Sequence, residues 1–193
     1  LSITVNDVNE APVITSDGGG DTATIAVDEN QAVVTQVTAT DVDVGATQRY
    51  VLTGGADRTA FDIDEVTGEL TFKVAPDHEV KDSYEVEVTV HDSGWASDVQ
   101  MLSITVNDVN EAPVITSDGG GETATIAVDE NQTVVTQVTA TDVDDGDTQT
   151  YSISGGTDQD DFVIDEITGN LSFVSAANHE VQDSYDVEVT VTD

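Results

Sequence analysis

The sequence predicts an all-β protein made of two tandem seven-stranded, Greek-key β-sandwiches of the immunoglobulin-like kind. The first observation is an internal repeat. Leu1–Gly20 returns residue for residue as Leu102–Gly121, and the offset of 101 residues then holds as far as Asp92 and Asp193. The second is the alternation of apolar and polar residues over short segments, which is typical of half-buried antiparallel strands. The third is a set of glycine-containing turns between those segments, at the spacing of a β-sandwich.

The strands of the first repeat follow from this alternation. The clearest segment puts Tyr84, Val86, Val88 and Val90 on one face, with acids and threonine on the other. We predict strands at residues 23–28, 32–40, 47–53, 60–64, 69–74, 83–91 and 98–106. The strands of the second repeat follow by adding 101 to each number, up to Asp193. The second repeat is therefore expected to lack its seventh strand.

Three segments are expected along the chain. Residues 1–10 are the last strand and linker of a preceding repeat, residues 11–111 are the first repeat, and residues 112–193 are the second repeat without its last strand. Pro12 and Pro113 mark the boundaries, because proline lacks the N–H that a central strand needs. A repeat of about 100 residues is large enough to be a domain with its own core.

The composition argues against several functions. Four Lys and Arg stand against 40 Asp and Glu, a net charge of −36, so we expect no binding to nucleic acid or to an anionic membrane, which needs a basic face. We expect no membrane insertion, because the chain has no apolar run of about 18 residues. We also expect no enzyme, because no nucleophile–histidine set and no phosphate-binding loop can be assembled.

Acidic residues gather at the ends of predicted strands. The motifs are Asp28-Glu29-Asn30, Thr40-Asp41-Val42-Asp43, Asp77-His78-Glu79, Asp92 and Asp108-Val109-Asn110-Glu111. Strand ends at one pole of a sandwich converge, so these motifs would form an oxygen-only ligand set, which suits Ca²⁺ and does not suit zinc or copper. A bound cation would also offset the self-repulsion of so acidic a chain. The alternative is a solvated acidic surface of a halophilic protein.

The order of the motifs resembles the cadherin repeat, and closely the bacterial cadherin-like tandem repeats of large surface adhesins. Ala39–Gly45 is similar to the family's AtDxDxG, Phe61–Leu70 to FxIDxxTGxL, Tyr84–Asp92 to YxVxVxVxD, and Asp108–Pro113 to DxNDNxP. The resemblance covers essentially the whole chain. It implies cadherin-like sandwiches with Ca²⁺ between successive repeats, where the ions make the joint rigid.

The resemblance also implies the metal ligands. At the joint between the two repeats they would be Glu29, Asp77, Glu79, Asp108, Asn110, Glu111, Asp142, Asp144 and Asp193. Half a site at the start of the chain would consist of Asp7, Asn9, Glu10, Asp41, Asp43 and Asp92. The complementary half at the far end would consist of Glu130, Asn178 and Glu180.

The sequence departs from the family pattern at two of these ligands. The resemblance implies three Ca²⁺ at a joint. The linker here is one residue shorter than the family's form and has Glu111 in place of its second Asp, which affects the third ion and the ligand at Glu111. Asn178 replaces the Asp of the family's DxE motif, which is Asp77-His78-Glu79 in the first repeat, and this should weaken the site beyond the second repeat.

Several other polar and aromatic residues are expected to have no role in binding. Asp145 and Asp147, where the first repeat has Val44 and Ala46, are expected to be surface charge. His78 and His179 lie in the middle of the DxE motif, where the family varies. Trp95 is expected to pack on its own hairpin, and the Gly18–Gly20 run is expected to be a flexible loop.

These expectations combine into a structural function. The chain would be part of the calcium-rigidified extension of an extracellular, bacterial cell-surface protein that serves adhesion, biofilm, or filament and matrix formation. Its partners would be neighbouring repeats of the same protein. The alternative is a carbohydrate-binding module of a secreted polysaccharide-degrading protein, although the chain is only 5% aromatic.

The two ends of the chain suggest a further contact. Leu1–Val5 matches Leu102–Val106, the seventh strand of the first repeat, whereas the second repeat has no such strand. We therefore expect residues 1–5 to add to the sheet edge of a second repeat outside this copy, in head-to-tail self-assembly. In a longer covalent array, the same contact would be made along one polypeptide.

Overall fold

The computed structural model describes residues 1–144 and 146–193 of the chain. It divides into two compact units, Leu1–Val109 and Asn110–Asp193. Both units are built from strands and short 3₁₀ turns, which confirms the predicted all-β class. In the described residues, no helix is long and apolar enough to cross a membrane.

Unit 1 is a sandwich of a four-stranded and a three-stranded sheet with a small two-stranded pair. Its strands are β1 (Val13–Ile14), β2 (Thr22–Asp28), β3 (Val33–Gln36), β4 (Ala39–Thr40), β5 (Arg49–Gly54), β6 (Phe61–Ile63), β7 (Glu69–Phe72), β8 (Ser83–His91) and β9 (Ser97–Asn107). The strand orders are β2-β9-β8-β5, β3-β7-β6 and β1-β4. β9 lies between an antiparallel neighbour, β8, and a parallel neighbour, β2.

The core of unit 1 lies between its two larger sheets. Val86, Val88 and Val90 are completely buried, as the alternation along β8 predicts. Phe61 and Phe72 of the three-stranded sheet stack with ring centroids 4.5 Å apart, and both are buried. This core fixes the directions of the strands, and with them the two ends at which the acidic residues lie.

One predicted strand of unit 1 is divided in the structure. The segment 32–40 is two strands, because β3 pairs with β7 whereas β4 pairs with β1. Residues 1–5, for which we predicted pairing outside this copy, form no strand within the chain, and Leu1, Ile3 and Val5 are exposed. Strand β1 was not predicted, since two residues are too few to show an alternation.

Unit 2 repeats most of this arrangement. Its strands are β10 (Val114–Ile115), β11 (Val134–Gln137), β12 (Ala140–Thr141), β13 (Thr150–Gly155), β14 (Phe162–Ile164), β15 (Asn170–Phe173) and β16 (Glu188–Thr192). They form sheets β11-β15-β14, β13-β16 and β10-β12. Phe162, Leu171 and Phe173 form its buried cluster.

Three predicted strands of unit 2 differ from the structure: the segment 133–141 is divided into β11 and β12, one strand is absent, and one is shorter than predicted. Residues 124–129 are not a strand, and residues 184–187 fall outside β16. In unit 1 the corresponding residues of β2 and β8 pair with β9. The described part of unit 2 contains no counterpart of β9, so these segments lack the partner that would make them strands.

Candidate metal centres at the ends of the repeats

The first acidic site of unit 1 lies at the end of the sandwich where β8 stops and β9 begins. We call it the N-end cluster of unit 1, and it consists of Asn9, Glu10, Asp41, Asp43 and Asp92. Asp41 and Asp43 follow β4, and Asp92 follows β8. One carboxylate oxygen from each of Asp41, Asp43 and Asp92 lies within 4.8 Å of the other two. Three carboxylates at this distance would repel each other strongly without a cation.

Hydrogen bonds hold the chain segment before β1 against this cluster. The Asn9 side-chain amide donates to Asp92 Oδ2 at 2.7 Å, and the Glu10 N–H donates to Asp43 Oδ2 at 3.0 Å. Asp92 Oδ1 accepts from Ala96 N at 2.8 Å, which closes the turn between β8 and β9. A Cβ on Gly94 in this turn would stand 2.5 Å from Asn9 Oδ1, so glycine allows the close approach.

Unit 2 builds the same cluster again. The N-end cluster of unit 2 consists of Asn110, Glu111, Asp142, Asp144 and Asp193. The Asn110 amide donates to Asp193 Oδ2 at 2.7 Å, and the Glu111 N–H donates to Asp144 Oδ2 at 2.7 Å. These are the bonds of Asn9 and Glu10, displaced by 101 residues.

Some oxygens of these clusters are buried without a partner. Asp41 Oδ2, Asp142 Oδ2 and Asp144 Oδ1 are buried and accept no hydrogen bond from any described residue. The other oxygen of each carboxylate accepts a hydrogen bond: Asp41 Oδ1 from Asp43 N at 2.9 Å, Asp142 Oδ1 from Asp144 N at 3.3 Å, and Asp144 Oδ2 from Glu111 N at 2.7 Å. An unpaired buried carboxylate oxygen is costly, and a bound cation would satisfy it.

The second site of unit 1 lies at the opposite end, where β2 and β9 both stop. This C-end cluster of unit 1 consists of Glu29, Asp77, His78, Glu79 and Asp108. Glu29 is only 2% exposed, and its two oxygens accept from His78 N at 2.8 Å and from Val109 N at 2.9 Å. One ligand atom from each of His78, Glu79 and Asp108 lies within 4.8 Å of the other two.

The C-end cluster of unit 2 is more open. It consists of Glu130, Asn178, His179 and Glu180, all of which are exposed. Glu130 Oε2 accepts from His179 N at 3.3 Å, and Asn178 Oδ1 accepts from Glu180 N at 3.0 Å. Asn178 is neutral, whereas unit 1 has the charged Asp77 at this position. This cluster should therefore attract a cation less strongly.

Two groups at the ends of unit 1 have a raised pKa, Glu10 and His78. Desolvation and the nearby carboxylates of Asp43, Asp7 and Asp41 raise the pKa of Glu10. A hydrogen bond to the Val106 carbonyl, at 2.8 Å from Nδ1, and the charges of the surrounding acids raise the pKa of His78. In both groups the charges of neighbouring acids add to a larger effect, which is desolvation at Glu10 and the hydrogen bond at His78.

The donor chemistry of the N-end clusters fits Ca²⁺. These clusters present carboxylate and amide oxygens only, which is the ligand set of a hard cation with 6–8 ligands. The C-end cluster of unit 1 adds one imidazole, but His78 Nδ1 is engaged with the Val106 carbonyl. The described residues include no thiolate, and zinc and copper prefer nitrogen and sulfur ligands.

The structure brings most of the predicted ligands together within each unit. Asp7 is exposed, and its charge is among those that raise the pKa of Glu10. Asp77 is exposed and accepts from Val80 N at 2.9 Å, so its carboxylate also closes a turn.

Asp147 is a further candidate ligand. It is exposed, as we predicted for a surface charge, and it lies with Asp144 and Asp193, with ligand atoms within 4.8 Å of one another. Asp147 stands where the first repeat has Ala46, and this additional acid is the sequence signal that could have identified it as a candidate ligand. Asp145, which received the same prediction, lies outside the described residues.

Comparison with known proteins shows which family both units resemble. The family model described as "Cadherin domain" matches residues 23–107 and 124–193. Cadherin-23 of Rattus norvegicus is 33% identical over 213 aligned residues, which cover 100% of this chain and 6% of the relative. Protocadherin Fat 1 of Homo sapiens is 31% identical over 179 residues, which cover 88% of this chain and 4% of the relative. The chain therefore spans a small fraction of these proteins.

Solved structures show the same fold. The structure of PcdhgB3 EC1-4 has a TM-score of 0.57 and 28% sequence identity, over 98% of this chain and 47% of that one. The family match covers most of both units. The chain therefore belongs to the cadherin domain family.

Proposed function

We propose that this chain is a calcium-binding structural segment of an extracellular adhesive protein, in which Ca²⁺ makes successive repeats rigid. The side chains of the N-end and C-end clusters would supply the ligands for these ions. When bound, the ions would neutralise carboxylates that otherwise repel one another. Tandem-repeat regions of this kind supply reach and stiffness, because each repeat contacts mainly its neighbours.

The observation that carries the proposal is the repeated cluster with its unpaired oxygens. The same two hydrogen bonds position Asn9 and Glu10 in unit 1, and Asn110 and Glu111 in unit 2. In both units a buried carboxylate oxygen is left without a partner among the described residues. A solvated acidic surface would not need buried oxygens, so this detail favours a cation over the halophilic alternative.

The setting that we propose is the surface of a bacterial cell, in a protein that serves adhesion, biofilm, or filament and matrix formation. The near identity of the two repeats and the motifs of bacterial surface adhesins support it, whereas the relatives named above are animal proteins. The partners would be neighbouring repeats and, through residues 1–5, a second copy of the chain in a head-to-tail contact.

A second candidate function is carbohydrate binding, and one observation favours it. Trp95 lies in the turn between β8 and β9 and is 81% exposed. Its ring lies 5.5 Å from the His91 ring, measured between centroids. An exposed indole can stack on a sugar ring. A Trp95→Ala variant that loses retention on a polysaccharide column would favour this candidate, whereas unchanged elution would remove it.

Calcium binding is tested by titration calorimetry on substituted chains. We expect Asp144→Asn to weaken binding at least tenfold at one class of site, which is about 1.4 kcal/mol. The reason is that the amide keeps the acceptor for Glu111 N but removes the charge. Asp43→Asn should do the same for the cluster of unit 1, because Asp43 accepts the equivalent bond.

The matched control is Asp160→Asn, which removes one charge from an exposed 3₁₀ turn, Gln159–Asp161. Its calcium isotherm should equal that of the unsubstituted chain. If Asp144→Asn and Asp160→Asn bind Ca²⁺ equally well, the N-end cluster is not the site. If the unsubstituted chain releases no heat with Ca²⁺ and none is retained in equilibrium dialysis, the proposed function is wrong.

A further inference from the structure

The outward side of the four-stranded sheet of unit 1 carries a patch without carboxylates. Tyr50, Val88 and Val90 are buried in the core, so the residues that alternate with them along β5 and β8 face outward. Two cross-strand rows of these outward residues lie side by side on β5, β8 and β9. Together with the adjoining Trp95 we call them the outer face of unit 1: Arg49, His91 and Ser97 in the first row, and Val51, Thr89 and Val99 in the second.

The composition of these rows is unusual for this chain, in which 40 of 193 residues are Asp or Glu. Neither row contains an acid, and the cation of the first row, Arg49, forms an ion pair with Glu65. The next outward residue of β8 is Glu87, one row further along, and it accepts from Thr53 Oγ1 at 2.7 Å. The outer face is thus a surface with little net charge on a strongly acidic molecule.

The middle of the outer face is apolar. Thr89 lies opposite Val51 on one side and opposite Val99 on the other. It is only 4% exposed although it faces outward, and its hydroxyl is bonded to Thr53 Oγ1 at 2.6 Å. What the face presents to solvent here is therefore the two valines, of which Val99 is 39% exposed.

Trp95 stands at the edge of this face in a strained conformation. Its φ is +68°, which glycine adopts readily and a bulky residue rarely does. Asp92 holds the turn, since Asp92 O accepts from Trp95 N at 3.3 Å and Asp92 Oδ1 accepts from Ala96 N at 2.8 Å. The side chain is 81% exposed, so burial does little to offset the strain. Strain that is kept in this way points to a use of the side chain outside the fold.

Unit 2 has a polar surface at the equivalent position. Where unit 1 has Val51 and His91, unit 2 has Ser152 and Thr192. The Thr192 hydroxyl is bonded to the Thr150 hydroxyl at 2.8 Å. The same sheet position folds with hydroxyl residues alone, so the fold does not require the apolar and aromatic residues of the outer face.

We propose that the outer face of unit 1 binds a neutral polysaccharide, with one sugar ring stacked on Trp95 and the next lying across Val51 and Val99. An indole gives a large apolar surface for the C–H face of a sugar, and the exposed Ser97 hydroxyl can donate to or accept from a sugar hydroxyl. This inference rests on the carbohydrate candidate above, for which it names the substrate class, and it does not depend on calcium.

The charge of the molecule selects the class of polysaccharide. A net charge of −36 would repel a polymer that carries carboxylate or sulfate groups, whereas it does not repel a neutral one. On the outer face itself, a neutral polymer meets no carboxylate that would have to lose its water. Three strands span about 10 Å, so the face is wide enough for more than one sugar ring.

Fluorescence tests the site directly, because Trp95 is the only tryptophan of the chain. The chain is titrated in chelator with four neutral polymers, hydroxyethylcellulose, laminarin, galactomannan and dextran, and with the acidic polymers alginate and polygalacturonate. We expect a saturable shift of the emission with at least one neutral polymer and none with the acidic ones. No shift with any of the four neutral polymers, or equal shifts with the acidic ones, would overturn the proposal.

Substitution of a valine tests whether the sheet takes part. Val51→Glu places a carboxylate in the middle of the outer face and should weaken binding at least tenfold, measured by affinity electrophoresis in gels that contain the responding polymer. Val66→Glu adds the same charge at an exposed turn of unit 1 and should bind like the unsubstituted chain. Equal retardation of the two variants would remove the sheet from the site.

Trp95→Gly separates binding from packing, because glycine accepts the φ of this position without strain. It should abolish retardation in the same gels and should not lower the melting temperature, whereas Trp95→Phe, which keeps a ring, should retain part of the binding. A lower melting temperature of Trp95→Gly with unchanged retardation would show that the indole serves its own hairpin, and would overturn the proposal.

The remaining outcomes distinguish this inference from the proposals above. Self-association in sedimentation velocity that both Trp95→Gly and Val51→Glu abolish, without any response to polysaccharide, would assign the outer face to a second copy and overturn the proposal. Binding of acidic polymers through Trp95 would keep the carbohydrate candidate and reject the neutral class. The calcium proposal is decided by its own titration, since the polysaccharide experiments are run in chelator.

Discussion

Gly68 shows how one residue fixes a turn between β6 and β7. It has a φ of +77°, and a Cβ at this position would stand 2.2 Å from the backbone oxygen of Val37. Its own carbonyl accepts from Val37 N at 2.9 Å, so the two chain segments cannot move apart without losing that bond. Asp64 completes the turn by accepting from Thr67 N and Val66 N, and these bonds lower its pKa.

Gly68→Ala should therefore destabilise unit 1 by more than about 2 kcal/mol, because a backbone clash adds to the strain of a positive φ. The matched control is Gly18→Ala, whose φ is +87° but whose Cβ would meet nothing within 4 Å. The control should cost about 1 kcal/mol, the strain alone. Urea unfolding followed by tryptophan fluorescence measures both, since Trp95 lies in unit 1. Equal losses would show that the contact with Val37 is not what requires glycine.

At the scale of the element, one sequence occurs in two states. Residues 22–28 and 123–129 are both Thr-Ala-Thr-Ile-Ala-Val-Asp, yet the first is strand β2 and the second forms no strand. The difference is β9, with which all seven residues of β2 pair. A strand needs a partner for its hydrogen bonds, and local sequence does not supply one.

Hydrogen exchange should reveal this difference directly. At dilutions where the chain is monomeric, the amides of 24–28 that bond to β9 should exchange at least 100-fold more slowly than their counterparts in 125–129, because β2 is paired along one edge and residues 125–129 are in no strand. Mass spectrometry of peptic peptides measures both segments in one sample, and the identical sequences give equal intrinsic rates. Similar protection of the two segments would mean that unit 2 pairs residues 125–129 in some other way.

The same comparison shows what the sequence could and could not predict of the fold. The alternation of β8 predicted its buried face, because Val86, Val88 and Val90 meet a core that lies entirely within unit 1. The break after Gln36 was not predicted, since apolar and β-branched residues continue through Ala39. β3 pairs with β7 whereas β4 pairs with β1, and this change of pairing partner does not alter the local composition.

The sequence likewise predicted part of the metal clusters and not the rest. The motifs placed acids at strand ends, and strand directions then bring Asp41, Asp43 and Asp92 together. The position of Asp147 beside Asp144 depends on the path of the loop after β12, which has no strand to define it. The role of Asp77 in a turn likewise depends on a local hydrogen bond to Val80 that no motif encodes.

At the scale of the whole molecule, the two units have separate and unequal cores. The buried cluster of unit 1 includes Leu70 together with residues from both larger sheets. The cluster of unit 2 is centred on Phe162, Leu171 and Phe173. Since less apolar surface is removed from water in unit 2, its free energy of unfolding should be lower.

We therefore expect two calorimetric transitions in chelator, with unit 2 melting first. Leu171→Ala should lower only the first transition and Leu70→Ala only the second, each by about 2–5 kcal/mol of unfolding free energy. The two leucines occupy the same position in β15 and β7, so each variant is the control for the other. One transition that shifts as a whole with either variant would contradict separate cores.

The central claim is that Ca²⁺ binds the folded repeats and offsets the repulsion of a chain with a net charge of −36. The most direct measurement is the melting temperature at low ionic strength, where salt does not screen that repulsion, with Ca²⁺, with Mg²⁺ and with EDTA. At about 100 times its dissociation constant, Ca²⁺ should add about 2.7 kcal/mol per site. We predict a rise of several degrees in Ca²⁺ over both EDTA and an equal concentration of Mg²⁺. Identical melting curves in Ca²⁺ and EDTA would contradict the account, and equal rises with Ca²⁺ and Mg²⁺ would reduce it to general screening of charge.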